Sequence, residues 1–226
     1  MRIYSLTILS LLVSLLLILS SCKGNSDNQH INVRGNLSRD GVIKIEVLTA
    51  EQQKQLTPKD VLASLKEGNA DFVNDNLTIR NTSRRVRAAV DGQYPKAVIL
   101  SCMDSRVPVE DIFHCGIGDV FVARVAGNIV DEEMLASLEY ACSVSGSKVI
   151  LVLGHGHCGA IKSAINDVKF GNITTLLFKI RPAVVTASES FKGEKSSYND
   201  EYMNAVCKAN VQLGLENIRK YSPSLK

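Results

Sequence analysis

Two short stretches of the sequence carry residues whose types and spacing indicate metal chemistry. His155 and Cys158 are three positions apart, and Cys102 lies upstream of them. Asp104 and Arg106 follow Cys102 at alternate positions. Two thiolates and one imidazole are the protein ligands of a Cys₂His zinc site, whose fourth position stays open in catalytic zinc proteins. If the fold brings Cys102, His155 and Cys158 together, the sequence predicts a catalytic zinc site.

Asp104 and Arg106 give this predicted site two competing states. Asp104 is close enough to Cys102 in sequence to reach the open position on the metal, which would close the site. Arg106 can instead hold the same carboxylate in a bidentate pair, which leaves that position to water. In this second state the ionised carboxylate can accept a hydrogen bond from the water and orient it.

Both stretches follow runs of aliphatic residues that predict buried strands. Residues 96–102 and 149–153 are such runs, and residues 119–125 form another. Unbroken valine, isoleucine and leucine are typical of strands buried on both faces of a parallel sheet. In open α/β sheets, reactive groups collect at the carboxyl ends of the strands. Because helical periods at 131–145 and 201–221 alternate with the strands, the sequence predicts an α/β fold with a central parallel sheet flanked by helices.

The other cysteines and histidines of the chain lack this context. The sequence predicts core or surface thiols at Cys115, Cys142 and Cys207. A disulfide among these three is left open, because exported proteins can form disulfides and the N-terminal residues, described below, predict export. His114 and His157 favour structural roles, although His157 lies beside a predicted ligand and could shuttle protons.

Taken together, the motifs resemble those of the β-class carbonic anhydrases. The resemblance extends over residues 56–226, with supporting runs at 116–122, 124–128 and 138–141. Its most specific elements are Cys102-x-Asp104-Ser105-Arg106 and Gly154-His155-x-x-Cys158-Gly159.

The resemblance implies a zinc enzyme that reversibly hydrates CO₂ to bicarbonate and a proton by means of a zinc-bound hydroxide. It implies one Zn²⁺ per chain, the switch of Asp104 between metal and Arg106, and catalytic roles for both residues. It further implies a homodimer or higher homo-oligomer, and an apolar CO₂ pocket for which Val107 and Gly159 are the candidates. The implied metal ligands are Cys102, Asp104, His155 and Cys158.

The resemblance also predicts where this chain departs from the family. Family members continue past Ser222-Pro223 with a helix and further strands, so the predicted domain at 56–226 lacks the family's last C-terminal strands. An alternative function is therefore a catalytically impaired zinc-binding remnant or a surface lipoprotein. A redox thiol protein is disfavoured because the sequence has no Cys-x-x-Cys pair. A structural zinc site would need a fourth ligand, which only His157 could offer.

The N-terminal residues predict export and lipidation. Arg2 precedes an apolar core at residues 6–19, and Leu19-Ser20-Ser21-Cys22 resembles the lipobox of bacterial lipoproteins. We therefore expect a signal peptide at 1–21 and a lipidated Cys22 followed by a polar tether, which together span 22–55. The protein would then be a bacterial lipoprotein, periplasmic or associated with the outer membrane, and held there by its lipid. The formal charge of +3 is too small to indicate nucleic-acid binding.

Three local patterns complete the predicted organisation. Thr57-Pro58 begins a helix, with a capping hydroxyl and a proline at the first helical position. Pro182 is expected to start a new segment in the helical region after residue 174. A basic cluster is predicted to be a solvated or interface face and consists of Arg80, Arg84, Arg85 and Arg87.

Overall fold

The computed structural model describes residues 47–76 and 82–225. The predicted signal peptide, Cys22 and most of the predicted tether lie outside the described residues. Within residues 47–76 and 82–225, no helix is both long and apolar enough to cross a membrane.

Three parallel strands form the central sheet. They are β1 (Ala97–Ser101), β2 (Val120–Arg124) and β3 (Val149–Leu153), arranged in the order β2-β1-β3. The register places Ser101 opposite both Arg124 and Leu153, so all three strands end at the same level. The prediction of a parallel sheet is confirmed, and β1 is buried along its whole length as its aliphatic run indicates.

Helices surround this sheet and account for most of the remaining described residues. The two longest, α7 and α8, pack against each other and against α6. The helices are α1 (Ala50–Gln55), α2 (Pro58–Val73), α3 (Thr82–Ala88), α4 (Val109–Ile112), α5 (Glu132–Glu139), α6 (Gly159–Ile165), α7 (Gly171–Ser190) and α8 (Asp200–Tyr221), with 3₁₀ turns at Ala126–Asn128 and Pro223–Leu225 and a π-helical segment at Tyr140–Val144.

The core is divided by the alternation of side chains along β1. Ile99 faces α2, where it packs with Val61. Leu100 faces the opposite way and packs with Leu138 of α5 and Ile218 of α8. Successive side chains of a strand point to opposite faces of the sheet, so one strand supplies both layers. A third cluster lies beyond the carboxyl ends of the strands and includes Cys102, Cys158, Ile161, Ile180 and Val206.

The start of α2 follows its sequence signals closely. The Thr57 hydroxyl accepts a hydrogen bond from the Asp60 N–H, and the Asp60 carboxylate accepts one from the Thr57 N–H. This reciprocal capping satisfies two otherwise unpaired backbone donors, and Pro58 occupies the first helical position. The predicted helix start is therefore confirmed.

Two predictions about local structure are wrong. Residues 50–55, assigned to the tether, form α1, in which Gln53 is buried and donates to the carbonyls of Pro95 and Ser145. Pro182 lies inside α7 and does not start a new segment. Proline removes one helical hydrogen bond, but the continuous helix buries Ile180 and Ala183 on either side of it. This burial favours continuation of the helix.

The basic cluster, predicted to be a solvated or interface face, includes one buried arginine. Arg80 lies outside the described residues, and Arg84 and Arg87 are exposed. Arg85, in contrast, is only 1% exposed. Its guanidinium pairs with Asp119 and donates to the Ile117 carbonyl, which ties α3 to the turn before β2.

We expect Arg85→Ala to lower the free energy of unfolding by about 3 kcal/mol, because removing one partner leaves the largely buried Asp119 carboxylate without its counter-charge. Arg87→Ala, on the exposed face of the same helix, should change it by less than about 0.5 kcal/mol. Urea unfolding followed by circular dichroism measures both. Equal midpoints for the two variants would contradict a structural role for the Arg85–Asp119 pair.

Candidate metal centre

Three of the four predicted metal ligands meet at the carboxyl end of the sheet. Cys102 follows β1, and His155 and Cys158 lie in the turn between β3 and α6. Their candidate ligand atoms all lie within 4.8 Å of one another. Both cysteines are almost fully buried, at 4% and 2% exposure, and the His155 side chain is 14% exposed. Parallel pairing of β1 with β3 therefore brings together residues more than fifty positions apart.

The distance between the two sulfur atoms suits a shared metal ion. Cys102 Sγ and Cys158 Sγ are 3.9 Å apart. Two sulfur atoms bound at about 2.3 Å to one tetrahedral Zn²⁺ would lie about 3.8 Å apart. The donor set, two thiols and one imidazole, is one that zinc prefers. The residues present therefore fit the metal that the sequence predicts.

The His155 ring is oriented to offer one specific nitrogen. Nδ1 lies 2.9 Å from the Gly156 carbonyl oxygen, and since a carbonyl can only accept, Nδ1 carries the proton. In the neutral ring Nε2 is then the atom with a free lone pair, and it is buried and without a hydrogen-bond partner. A backbone carbonyl that fixes the tautomer is the usual support of a metal-binding histidine. The unpartnered Nε2 is thus the atom available to a metal.

The two thiols share a proton. The hydrogen bond with Cys158 lowers the pKa of the Cys102 thiol, burial opposes this, and the hydrogen bond from the Gly127 N–H lowers the pKa further. The same hydrogen bond raises the pKa of the Cys158 thiol, as does burial. These contacts favour Cys102 as the more acidic thiol of the pair. Because metals bind thiolates, metal binding must release the proton that the pair retains.

Asp104 lies beside this group in the state held by Arg106. Arg106 donates from Nε and Nη2 to the two carboxylate oxygens at 2.9 and 2.8 Å, and its backbone N–H donates to Oδ1. These hydrogen bonds from Arg106 lower the pKa of Asp104, so the carboxylate stays ionised well below neutral pH. Asp104 Oδ2 is 4.0 Å from His155 Nε2. An ionised acceptor therefore borders the three candidate ligands.

Backbone contacts hold the loop that carries Cys102 and Asp104. Arg124, at the end of β2, donates to the carbonyl oxygens of both residues. The Gly127 N–H donates to Cys102 Sγ at 3.3 Å. Gly127 has φ +68°, and a Cβ at this position would lie 2.5 Å from Ile180 Cδ1. A glycine is therefore required where this backbone approaches the sulfur.

Sequence reasoning assigned no role to Arg124, Gly127 or Asn210. Arg124 and Gly127 lie in a run that supported the family resemblance, but their contacts pass through backbone atoms, which residue types do not reveal. Asn210 is a buried amide in the middle of α8. An asparagine is unfavourable inside a helix, and that was the one signal that could have singled it out.

The other residues named from sequence lie apart from this group or at its rim. Val107 is buried against α2 and the sheet, and its N–H donates to the Asp104 carbonyl. Gly159 is the exposed first residue of α6. Cys142 and Cys207 are free thiols, and Cys207 donates to the His155 carbonyl. His157 is exposed, with Nδ1 3.5 Å from Asp200.

His114 and Cys115 lie in the turn between α4 and β2. His114 Nδ1 is 3.5 Å from an Asp71 oxygen, and Cys115 is fully buried with Sγ donating to the Phe113 carbonyl. Neither residue joins the candidate metal ligands, since among the described residues that group contains only Cys102, His155 and Cys158. Cys22 lies outside the described residues.

Fold and site together define a class of protein: an α/β protein with a buried Cys₂His group at the carboxyl edge of a parallel sheet. Comparison with known proteins specifies the family. A family model described as carbonic anhydrase matches residues 97–226. The chain is 30% identical over 203 residues to β carbonic anhydrase 3 of Arabidopsis thaliana, covering 84% of this chain and 78% of that protein. The chain belongs to the β class of the carbonic anhydrase family.

Other relatives agree with this placement. The chain is 42% identical over 128 residues to carbonic anhydrase 2 of Mycobacterium tuberculosis, which covers 54% of this chain and 62% of the relative's length. A tetrameric β-carbonic anhydrase of Sordaria macrospora superposes with a TM-score of 0.56 at 26% identity, covering 73% of this chain and 81% of that one. The Coccomyxa β-carbonic anhydrase in complex with acetazolamide gives 0.55 at 26% identity, covering 74% and 73%.

We expect Gly127→Ala to lower the free energy of unfolding by about 3 kcal/mol. Alanine is strained in the left-handed backbone, its Cβ would lie 2.5 Å from Ile180 Cδ1, and the two energetic costs add. Gly159→Ala is the matched control: its Cβ would meet nothing within 4 Å, and alanine is favourable in a helix. Thermal or urea unfolding of both variants measures the difference. A Gly127→Ala variant as stable as Gly159→Ala would show that the turn adapts and that glycine is not required.

Proposed function

We propose that this chain catalyses the reversible hydration of CO₂ to bicarbonate and a proton, with one Zn²⁺ per chain held by Cys102, His155 and Cys158. The observation that carries the proposal is the convergence of these three ligand atoms within 4.8 Å, beside an ionised carboxylate. Membership of the carbonic anhydrase family supports the same reaction. A zinc ion in such a site makes water acidic enough to act as a nucleophile near neutral pH.

The protein's own residues supply orientation and charge in this proposal. Arg106 keeps the Asp104 carboxylate ionised and aims it toward the ligand group. The carboxylate can accept a hydrogen bond from water at the mouth of the site, which directs a lone pair of that water toward CO₂. Arg106 also donates to the His157 carbonyl at 3.1 Å, so one side chain connects the two loops that carry the ligands.

The same Asp104 carboxylate could serve as a fourth metal ligand once Arg106 releases it. In the described structure Asp104 is paired with Arg106, which corresponds to the open state of the site. Val107 and Gly159 stay candidates for the wall of an apolar CO₂ pocket. Val107 is suited to such a wall because it is buried and its N–H donates to the Asp104 carbonyl.

We further propose that the chain is exported, lipidated on Cys22 and assembled as a homo-oligomer. Residues 1–22 support export and lipidation through their lipobox-like pattern. The tetrameric state of the Sordaria macrospora relative supports the assembly of several copies. Exposed apolar side chains on α2 and α3 are suited to an interface between copies and include Leu62, Phe72, Val73 and Val86.

We expect the protein purified without its signal peptide to contain about one zinc per chain and to hydrate CO₂ in stopped-flow assays. Cys158→Ser should lose both properties because it removes a ligand. Cys142→Ser is the matched control, since its half-buried thiol lies outside the ligand group, and should retain both. A protein that binds zinc but does not hydrate CO₂ at any pH would contradict the proposed enzymatic activity and favour a zinc-binding remnant.

We expect Arg106→Gln to retain zinc while the rate of CO₂ hydration falls by about 10²-fold or more. The hydrogen bonds from Arg106 lower the pKa of Asp104, so removing them lets that pKa rise toward its ordinary value. Even at that ordinary value the carboxylate is ionised near neutral pH, so the fall in rate comes from lost orientation of Asp104 and should be seen across neutral and alkaline pH. Zinc analysis together with stopped-flow rates across pH tests this. A rate equal to that of the parent protein across this range would rule out the role proposed for the pair.

A further inference from the structure

A buried amide of α8 reaches the backbone that supports Cys102. Asn210 is 4% exposed, and its Nδ2 donates to the Gly127 carbonyl at 2.8 Å. The N–H of the same glycine donates to Cys102 Sγ at 3.3 Å. Two successive hydrogen bonds therefore connect a residue of the C-terminal helix, far away in sequence, to a candidate metal ligand.

The conformation of Gly127 explains why a second contact is needed there. Its φ of +68° lies in the left-handed region, inside a 3₁₀ turn at Ala126–Asn128. Glycine populates this region and its mirror image with similar ease, so the residue type alone does not select one backbone orientation. Anchoring the carbonyl on Asn210 selects it, and the N–H on the other side of the same residue then points at the sulfur.

Helix α8 is itself well placed to set this orientation. Cys207, one turn before Asn210, donates to the His155 carbonyl at 3.3 Å. The next residue after Asn210, Val211, packs against Gly154 at the end of β3. One rigid helix thus contacts the supporting backbone of both ligand loops, and Asn210 is its contact on the Cys102 side.

We propose that Asn210 is a positioning residue of the metal centre, which acts through Gly127 to hold an N–H donor on the Cys102 sulfur. This inference rests on the proposed zinc site. An N–H donor stabilises the lone pairs of a sulfur ligand and limits its movement. Hydrogen-bonded groups behind the direct ligands typically change metal affinity 10- to 100-fold when removed.

The experiment compares Asn210→Leu with Gln212→Leu in the whole purified protein. Gln212 is an exposed amide on the same helix, so both variants exchange an amide for the same apolar side chain. Zinc affinity is measured by competition with a chromophoric chelator. The absorption spectrum of the Co²⁺-substituted protein reports the sulfur-to-metal charge-transfer band, and circular dichroism monitors the fold.

We expect Asn210→Leu to bind zinc about 10-fold to 100-fold more weakly than the parent protein. We also expect its charge-transfer band to move to lower energy, because the sulfur has lost a stabilising donor. Gln212→Leu should match the parent in both measurements. If Asn210→Leu does not fold, Asn210→Ala removes the donor without adding bulk and is tested in the same two assays.

A folded Asn210 variant with the parent's zinc affinity and the parent's cobalt band would overturn the inference, even if its thermal stability were lower. That result would reduce Asn210 to a structural link between α8 and the turn. If the parent protein bound neither zinc nor cobalt, the proposed function and this inference would both be overturned. If the parent bound zinc without hydrating CO₂, only the proposed reaction would be overturned. The changes in zinc affinity and in the cobalt band of the Asn210 variants would still decide the role of Asn210.

Discussion

Parallel pairing of β1 with β3 is the interaction on which the rest of this structure depends. Because Ser101 lies opposite Leu153, the loops that follow the two strands leave the sheet at the same level. That register brings Cys102 within 3.9 Å of Cys158 although they are 56 positions apart. A shift of one residue would turn the side chains of β1 to the opposite faces. Burial of β1 on both faces therefore secures the site as well as the core.

The ligand loops are held by backbone hydrogen bonds as much as by packing. Arg124 donates to the carbonyls of Cys102 and Asp104, and the Gly127 N–H donates to the Cys102 sulfur. The buried thiol pair and the Asp104–Arg106 pair lie next to each other but differ in exposure, since the Arg106 side chain is 63% exposed. The two candidate thiol ligands are thus shielded, whereas Arg106 extends the neighbouring pair to solvent.

Much of the fold was predictable because its signals are local. The aliphatic run of β3 ends where the strand ends, and Thr57 and Pro58 mark the start of α2 through capping that needs no distant partner. The misjudged features depend on distant partners. Arg85 is buried because Asp119 lies across from it in the fold, and α7 continues through Pro182 because Ile180 and Ala183 are buried on either side of it. Neither neighbour is visible in a local window of sequence.

The sequence by itself determined the kind of chemistry available: two thiols, an imidazole and a carboxylate–guanidinium pair, each placed directly after a strand. Residue type sets which metal such groups can bind, and strand-end placement sets where they gather. Only the tertiary structure decided which nitrogen of His155 lacks a hydrogen bond, that the two thiols lie 3.9 Å apart, and that Asp104 is paired with Arg106. Those properties arise from carbonyls, N–H groups and side chains such as Asn210, which come together only when the chain folds.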